Sequence, residues 1–139
     1  MTLMTGNKGT VLIVDDEAMV RDLYRVALEH AGYRIAEAGD GEAGLQVVET
    51  GNPAVILLDV RMPKMNGIEM LRKIKEAEAT RDIPVLMLSN FDEPSLVRES
   101  LELGARGYLV KVGTDPRELA DIVGKVLAGS EIESVRPRH

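Results

Sequence analysis

Short unbroken apolar runs alternate with longer segments of helical period along this chain, and the alternation restricts what it can fold into. The unbroken runs are "TVLIV" (10–14), "AVILLDV" (54–60), "PVLMLS" (84–89) and "GYLV" (107–110), with "YRIAEA" (33–38) a weaker fifth. Continuous apolarity over a handful of residues, rich in Val and Ile, marks strands covered on both faces. The intervening segments have helical spacing. Within 16–32, Val20, Leu23, Ala27 and Ala31 fall on one stripe and Gly32 ends it. Segment 41–51 reads as a short helix closed by Gly51. In 66–79, Ile68, Leu71 and Ile74 share a face while Arg72, Lys73, Lys75 and Glu76 lie elsewhere, and 93–104 and 115–129 behave similarly.

The order is strand then helix, five times over. Strand ends near 14, 38, 60, 89 and 110 lie about 20–30 residues apart, room for a crossover helix and too long for a hairpin. Right-handed crossovers then give a parallel sheet with helices on both faces. The expected class is α/β: a three-layer, doubly wound (βα)5 fold with a five-stranded parallel sheet in the flavodoxin-like order 2-1-3-4-5. A chain of 139 residues suits one domain. It is expected over 9–129, with flexible ends at 1–8 and 130–139.

Composition removes several function classes. Residues are 45% hydrophobic and 29% charged, ordinary for a globular protein. The longest wholly apolar run, Ala54–Leu58, is far short of the ~20 residues that span a bilayer. No signal peptide is expected from the first ten residues, and with no cysteine there is neither disulfide nor thiolate metal site. A cytoplasmic setting is the expectation. The net charge of −6, the absence of Trp and the single Phe argue against nucleic-acid binding by this domain.

In such a sheet, ligands sit beyond the carboxyl ends of the strands, near the switch in strand order. After the first strand come Asp15, Asp16 and Glu17; the third ends at Asp59; Ser89 and Asn90 end the fourth; Lys111 follows the fifth. Singly, each has an ordinary reading: Asp15 a helix cap, Asp59 a turn residue, Lys111 a surface lysine, Ser89 a cap of its own loop. Jointly, at adjacent strand ends, they are expected to converge in one pocket. Two carboxylates about 4 Å apart repel by roughly 4 kcal/mol at an effective dielectric near 20, which would raise a pKa unless a hard cation or Lys111 relieves it. All-oxygen donors select Mg²⁺, Mn²⁺ or Ca²⁺ over zinc, and few protein ligands favour Mg²⁺. A carboxylate, a divalent cation, a lysine and a hydroxyl together describe phosphoryl transfer.

These residues resemble the receiver domain of two-component response regulators, over about Gly9 to Gly129. The matching parts are Asp15-Asp16; "LLDVRMPKMNG" with Asp59, Pro63 and Gly67; "PVLMLS" with Ser89; and "GARGYLVK" with Tyr108 and Lys111. The resemblance implies that Asp59 accepts a phosphoryl group from a phosphohistidine on a sensor histidine kinase or phosphotransfer protein. It implies an Mg²⁺ site built from Asp16 directly, Asp15 through water, Asp59 and the backbone carbonyl of Arg61, with Lys111 pairing Asp59 or its phosphate. Ser89 would follow the phosphate and Tyr108 turn inward behind it. That movement would repack the face of the fourth helix, fifth strand and fifth helix for an output protein or a homodimer. Such a protein is a signalling switch and not an enzyme, beyond self-catalysed phosphotransfer and dephosphorylation. Glu17 acquires no role, and a first-turn position favoured by the helix dipole is its plain reading.

The chain departs from the family pattern in places. Val112 stands where proline usually follows the lysine. A cis bond before valine costs about 2.5–4 kcal/mol, so a trans bond is expected, with Gly113 taking unusual dihedrals. Asn90 replaces a small residue and should narrow access to the phosphate. Phe91 and Arg61 occupy positions that tune phosphate lifetime, and slow self-dephosphorylation is expected. Two other functions compete. One is a docking module that works without phosphorylation. The other is an Mg²⁺-dependent aspartyl-phosphate phosphatase, which wants an acid two residues after its nucleophile, where this chain has Arg61.

Overall fold

The structure is a computed structural model in which residues 8–130 and residue 132 are described. The expected flexible ends therefore fall almost wholly outside the described residues. Five strands alternate with five helices: β1 (Thr10–Val14), α1 (Ala18–His30), β2 (Arg34–Ala38), α2 (Gly41–Gly51), β3 (Val55–Leu58), α3 (Gly67–Glu76), β4 (Val85–Ser89), α4 (Pro94–Glu102), β5 (Gly107–Val110) and α5 (Pro116–Leu127). A single turn of 3₁₀ helix, Lys111–Gly113, joins β5 to α5. All strand pairs are parallel and the order is β2-β1-β3-β4-β5, as the alternation predicts.

The sheet separates two apolar layers, and alternate strand residues feed each. Leu12, Val14, Ile56 and Leu58 face α2, α3 and α4, where Met70, Leu71 and Ile74 pack. Val11, Ile13, Val55 and Leu57 face α1 and α5, meeting Leu28, Leu119 and Val123. Ile68, Leu71 and Ile74 of α3 are buried, as their spacing requires. The stripe on α1 is displaced from expectation: Tyr24 and Leu28 are the buried pair, while Leu23 is 56% exposed. Val20 and Ala31 still pack against this layer from its margin. The aromatic body of Tyr24 fills the core position that its polar hydroxyl obscured in the sequence.

Helix ends follow local chemistry. Asn66 and Glu69 form a reciprocal capping box on α3, and Asp115 caps α5 by accepting from the Glu118 amide at 2.8 Å. Helix α2 runs through Gly51 and is closed by Asn52 at φ 44°, one residue later than expected. Helix α3 stops at Glu76, where Lys75 turns back to donate to the carbonyls of Arg81 and Ile83. None of the described helices is long and apolar enough to cross a membrane.

Candidate functional site: carboxylates and a lysine at the strand ends

The register of the sheet brings the first acids together. Val14 pairs with Leu58, and the ladder continues one residue further: the Asp59 amide donates to the Val14 carbonyl at 3.0 Å and the Asp15 amide to the Ala38 carbonyl at 3.1 Å. Asp15 and Asp59 thus lie side by side where the chain leaves the sheet. Both are nearly buried, at 3% and 6% exposure. On the far edge Ser89 pairs with Val110, so Lys111 begins its turn beside the hydroxyl.

Lys111 crosses the strand ends to reach the acids. Its Nζ lies 2.6 Å from Asp15 Oδ2 and 3.1 Å from Asp59 Oδ2, with Glu17 Oε1 at 3.9 Å. Burial alone would lower the lysine's pKa. The hydrogen bond to Asp15 and the charges of Asp59 and Asp15 more than offset it, and the ammonium is held above the ordinary lysine value. The Asp59 carboxyl is pushed up from the usual carboxylate value, chiefly by burial; Lys111 opposes the rise and the Asp15 charge adds to it. The two directions are compatible because burial outweighs the ammonium's opposing charge at Asp59, whereas at Lys111 the Asp15 hydrogen bond and both carboxylate charges together outweigh burial.

The β1 end is fixed from several sides. Asp15 Oδ1 accepts from the Glu17 amide at 2.9 Å, and the Asp15 carbonyl accepts from Arg21 Nη1 at 2.5 Å. Arg21 is itself held by Glu37 at 3.0 Å. Asp16 and Glu17 are exposed, and carboxylate oxygens of Asp15, Asp16 and Glu17 all lie within 4.8 Å of one another. This donor set is all oxygen, and three converging negative charges with one ammonium beside them fit a hard divalent cation. Glu17 stands beside the acidic pair, at the N-terminal end of α1 where the helix dipole also favours its charge. It sits at the N-cap of α1 without a side-chain cap bond.

The β3–α3 loop is set by a glycine. A Cβ on Gly67 would lie 2.0 Å from the Asp59 carbonyl oxygen, and the Gly67 amide donates to the Val60 carbonyl at 2.7 Å. Only a residue without a side chain lets α3 start directly against the phosphoacceptor candidate's backbone. Arg61, two residues beyond Asp59, lays its guanidinium over the Phe91 ring at 4.3 Å and faces Glu93 at 3.8 Å.

The β4 and β5 ends are joined by side-chain bonds. Ser89, fully buried, accepts at Oγ from the Phe91 amide at 3.1 Å, so it does cap its own loop. The Tyr108 ring is also fully buried and its hydroxyl donates to the Phe91 carbonyl. Burial pushes this phenol up to about 12, with a hydrogen bond to Ser89 opposing the shift. No cis peptide bond occurs among the described residues, in keeping with the expectation at Lys111-Val112. Gly113 does not take left-handed angles; the 3₁₀ turn absorbs the change, with the Thr114 amide donating to the Lys111 carbonyl at 3.2 Å. Asn90 Oδ1 accepts from the Val112 amide at 3.1 Å.

Lys111 thus bridges Asp15 and Asp59, while Asp16 stands with Asp15 and Glu17 in a group that does not include Asp59, and Ser89 and Tyr108 are hydrogen-bonded on the β4 side. Sequence reasoning placed Glu17 with the acids but gave it no role, and passed over Arg21 and the Asn90–Val112 bond. Glu17 carried a signal in its adjacency to the acidic pair. Arg21, four residues on and so on the same side of α1, carried a weaker one.

Comparisons with known proteins bear on the family and the fold. A family model for the response regulator receiver domain matches residues 11–124. The chain is 42% identical over 118 residues to the phosphate regulon transcriptional regulatory protein PhoB of Pseudomonas aeruginosa, covering 85% of this chain and 51% of that protein. It is 39% identical over 122 residues to the alkaline phosphatase synthesis transcriptional regulatory protein PhoP of Bacillus subtilis, covering 88% and 50%. It spans about half the length of these relatives. Among solved structures, the chemotaxis protein CheY4 of Vibrio cholerae matches with a TM-score of 0.78 at 32% identity, over 84% of this chain and 97% of that one. A CheY-like receiver domain protein from Methanospirillum hungatei JF-1 matches with a TM-score of 0.81 at 28% identity, over 86% and 94%.

Proposed function

The chain belongs to the response regulator receiver domain family, and from that premise we propose that it is a two-component signalling switch whose phosphoacceptor is Asp59. The observation that supports this best is the shared ammonium: Lys111 stands 3.1 Å from Asp59 and 2.6 Å from Asp15 at the strand ends.

A carboxylate oxygen of Asp59 attacks the phosphorus of a phosphohistidine presented by a sensor kinase or phosphotransfer protein. The new O–P bond forms as the P–N bond breaks, and its electron pair returns to the imidazole nitrogen. Burial raises the basicity of the Asp59 carboxylate and so favours attack. Asp15, Asp16 and Asp59, with the Arg61 carbonyl, would hold Mg²⁺, and Glu17 adds charge at the rim. When bound, the cation supplies positive charge to the phosphoryl oxygens. Lys111 supplies the same from the protein, passing from the Asp59 carboxylate to the transferred group.

Ser89 then gives its hydroxyl to a phosphoryl oxygen and gives up the Phe91 amide. Tyr108 is already inside, so its part is an exchange of hydroxyl partners and not a burial of the ring. The readout is the surface of α4, β5 and α5, where an output protein or a second copy would bind. The cation at position 61 disfavours the phosphatase alternative, which needs an acid there. Arg61 stacked on Phe91 screens the phosphoryl group from water, and slow self-dephosphorylation follows.

Incubation with acetyl phosphate and Mg²⁺, read by intact mass, is expected to add one phosphoryl group to the wild type and none to Asp59→Ala. Absence of uptake by the wild type would leave only the phosphorylation-independent docking role. The phosphate half-life is expected to shorten in Phe91→Glu; an unchanged half-life would remove Phe91 from the account.

A further inference from the structure

Val112 contributes nothing to its turn through its side chain, which is 85% exposed, and a Cβ on the following Gly113 would meet nothing within 4 Å. What position 112 does supply is a backbone N–H, the group a proline there would lack. That N–H is bound by the Asn90 side chain at 3.1 Å, from the other loop at the mouth of the site. The two departures from the family pattern are therefore one device, a donor and its acceptor.

We propose that Asn90 and Val112 form a latch that couples the loop carrying the Ser89 hydroxyl to the turn carrying Lys111 and, through it, to the start of α5. The geometry makes this coupling direct. Strand pairing between β4 and β5 ends at Ser89 opposite Val110, and beyond it the Asn90 side-chain oxygen accepts from the Val112 amide. Asn90 lies between Ser89 and Phe91, so a shift of the hydroxyl toward a phosphoryl group on Asp59 carries the Asn90 side chain with it. The receiving turn is short: the Thr114 amide closes on the Lys111 carbonyl, and Asp115 caps α5 immediately afterwards. A pull on the Val112 amide therefore reaches the first turn of α5 with little slack. The latch itself is present before phosphorylation; its use as a transmitter rests on the switch reading above.

Residue-resolved amide exchange separates the two. Before phosphorylation, Asn90→Ala is expected to speed exchange of the Val112 amide by roughly two- to tenfold, the effect of one partly exposed hydrogen bond. After treatment with acetyl phosphate and Mg²⁺, the wild type is expected to show altered exchange over both Ser89–Phe91 and Thr114–Leu119. In Asn90→Ala the first change persists and the second is lost. Val112→Pro, which removes the donor instead of the acceptor, should lose the same α5 response, and the double variant should behave like either single one. An unchanged Val112 exchange rate in Asn90→Ala overturns the latch, and an α5 response that survives both variants overturns its role as transmitter. Should the wild type take up no phosphoryl group, the switch reading fails while the Val112 comparison still decides whether the latch exists.

Discussion

The acid-bearing side of the site, at β1 and β3, and the hydroxyl-bearing side, at β4 and β5, are held by different forces. Asp15 and Asp59 are fixed by the sheet ladder, by a shared buried ammonium, by Arg21 on the Asp15 carbonyl and by the close approach of Gly67. Ser89, Asn90 and Tyr108 are tied to their neighbours through side-chain hydrogen bonds, each worth about 1 kcal/mol net. The first arrangement resists movement and suits in-line chemistry, which tolerates little misplacement. The second can exchange partners at small cost, which is what a response to one added group requires.

The contrast can be broken most forcefully at the lysine. Lys111→Met leaves two buried carboxylates facing each other, and a loss of about 3 kcal/mol in urea denaturation at neutral pH is expected. Asp59 already lies above its ordinary pKa and would lose the ammonium that opposes the rise. A carboxyl whose folded pKa exceeds its unfolded one carries stability that is present at low pH and lost as pH rises through the folded value. The deficit of the variant should therefore shrink as pH falls from neutrality toward the unfolded carboxylate value of about 4. A deficit that does not change with pH would mean that charge is not what holds this side together.

Gly67→Ala tests the backbone part of the same side. Its Cβ would stand 2.0 Å from the Asp59 carbonyl, so a loss of about 2–3 kcal/mol is expected in thermal or denaturant unfolding, with slower phosphoryl uptake. Wild-type stability in this variant would show that the loop can give way. Tyr108→Phe, on the responsive side, should cost only about 1 kcal/mol and leave the rate of uptake at Asp59 unchanged. Loss of uptake there would merge the two sides into one.

Most of the architecture was legible because strands buried on both faces must be apolar without interruption, and their carboxyl ends must carry any chemistry. Asp15, Asp59, Ser89 and Lys111 could be placed from chain direction alone. The buried stripe of α1 could not, since Tyr24 presents a polar atom to a pattern search and an apolar ring to the core. Arg21 on the Asp15 carbonyl and Asn90 on the Val112 amide were equally hidden, because such bonds depend on where long or flexible side chains settle after packing. The unusual dihedrals expected at Gly113 gave way to a 3₁₀ turn over Lys111–Gly113 that sequence does not announce.

The pairing of Val14 with Leu58 has one more consequence. Sliding β3 past β1 by a single residue would displace Asp59 by about 3.3 Å and turn its neighbours to the opposite layer. A molecule threaded that way would carry Asp59 away from Asp15 and Lys111 however compact it became. On the proposed reading of Asp59 as phosphoacceptor, the fraction of a preparation that takes up a phosphoryl group would report on the alignment of the sheet, a chemical check on folding fidelity.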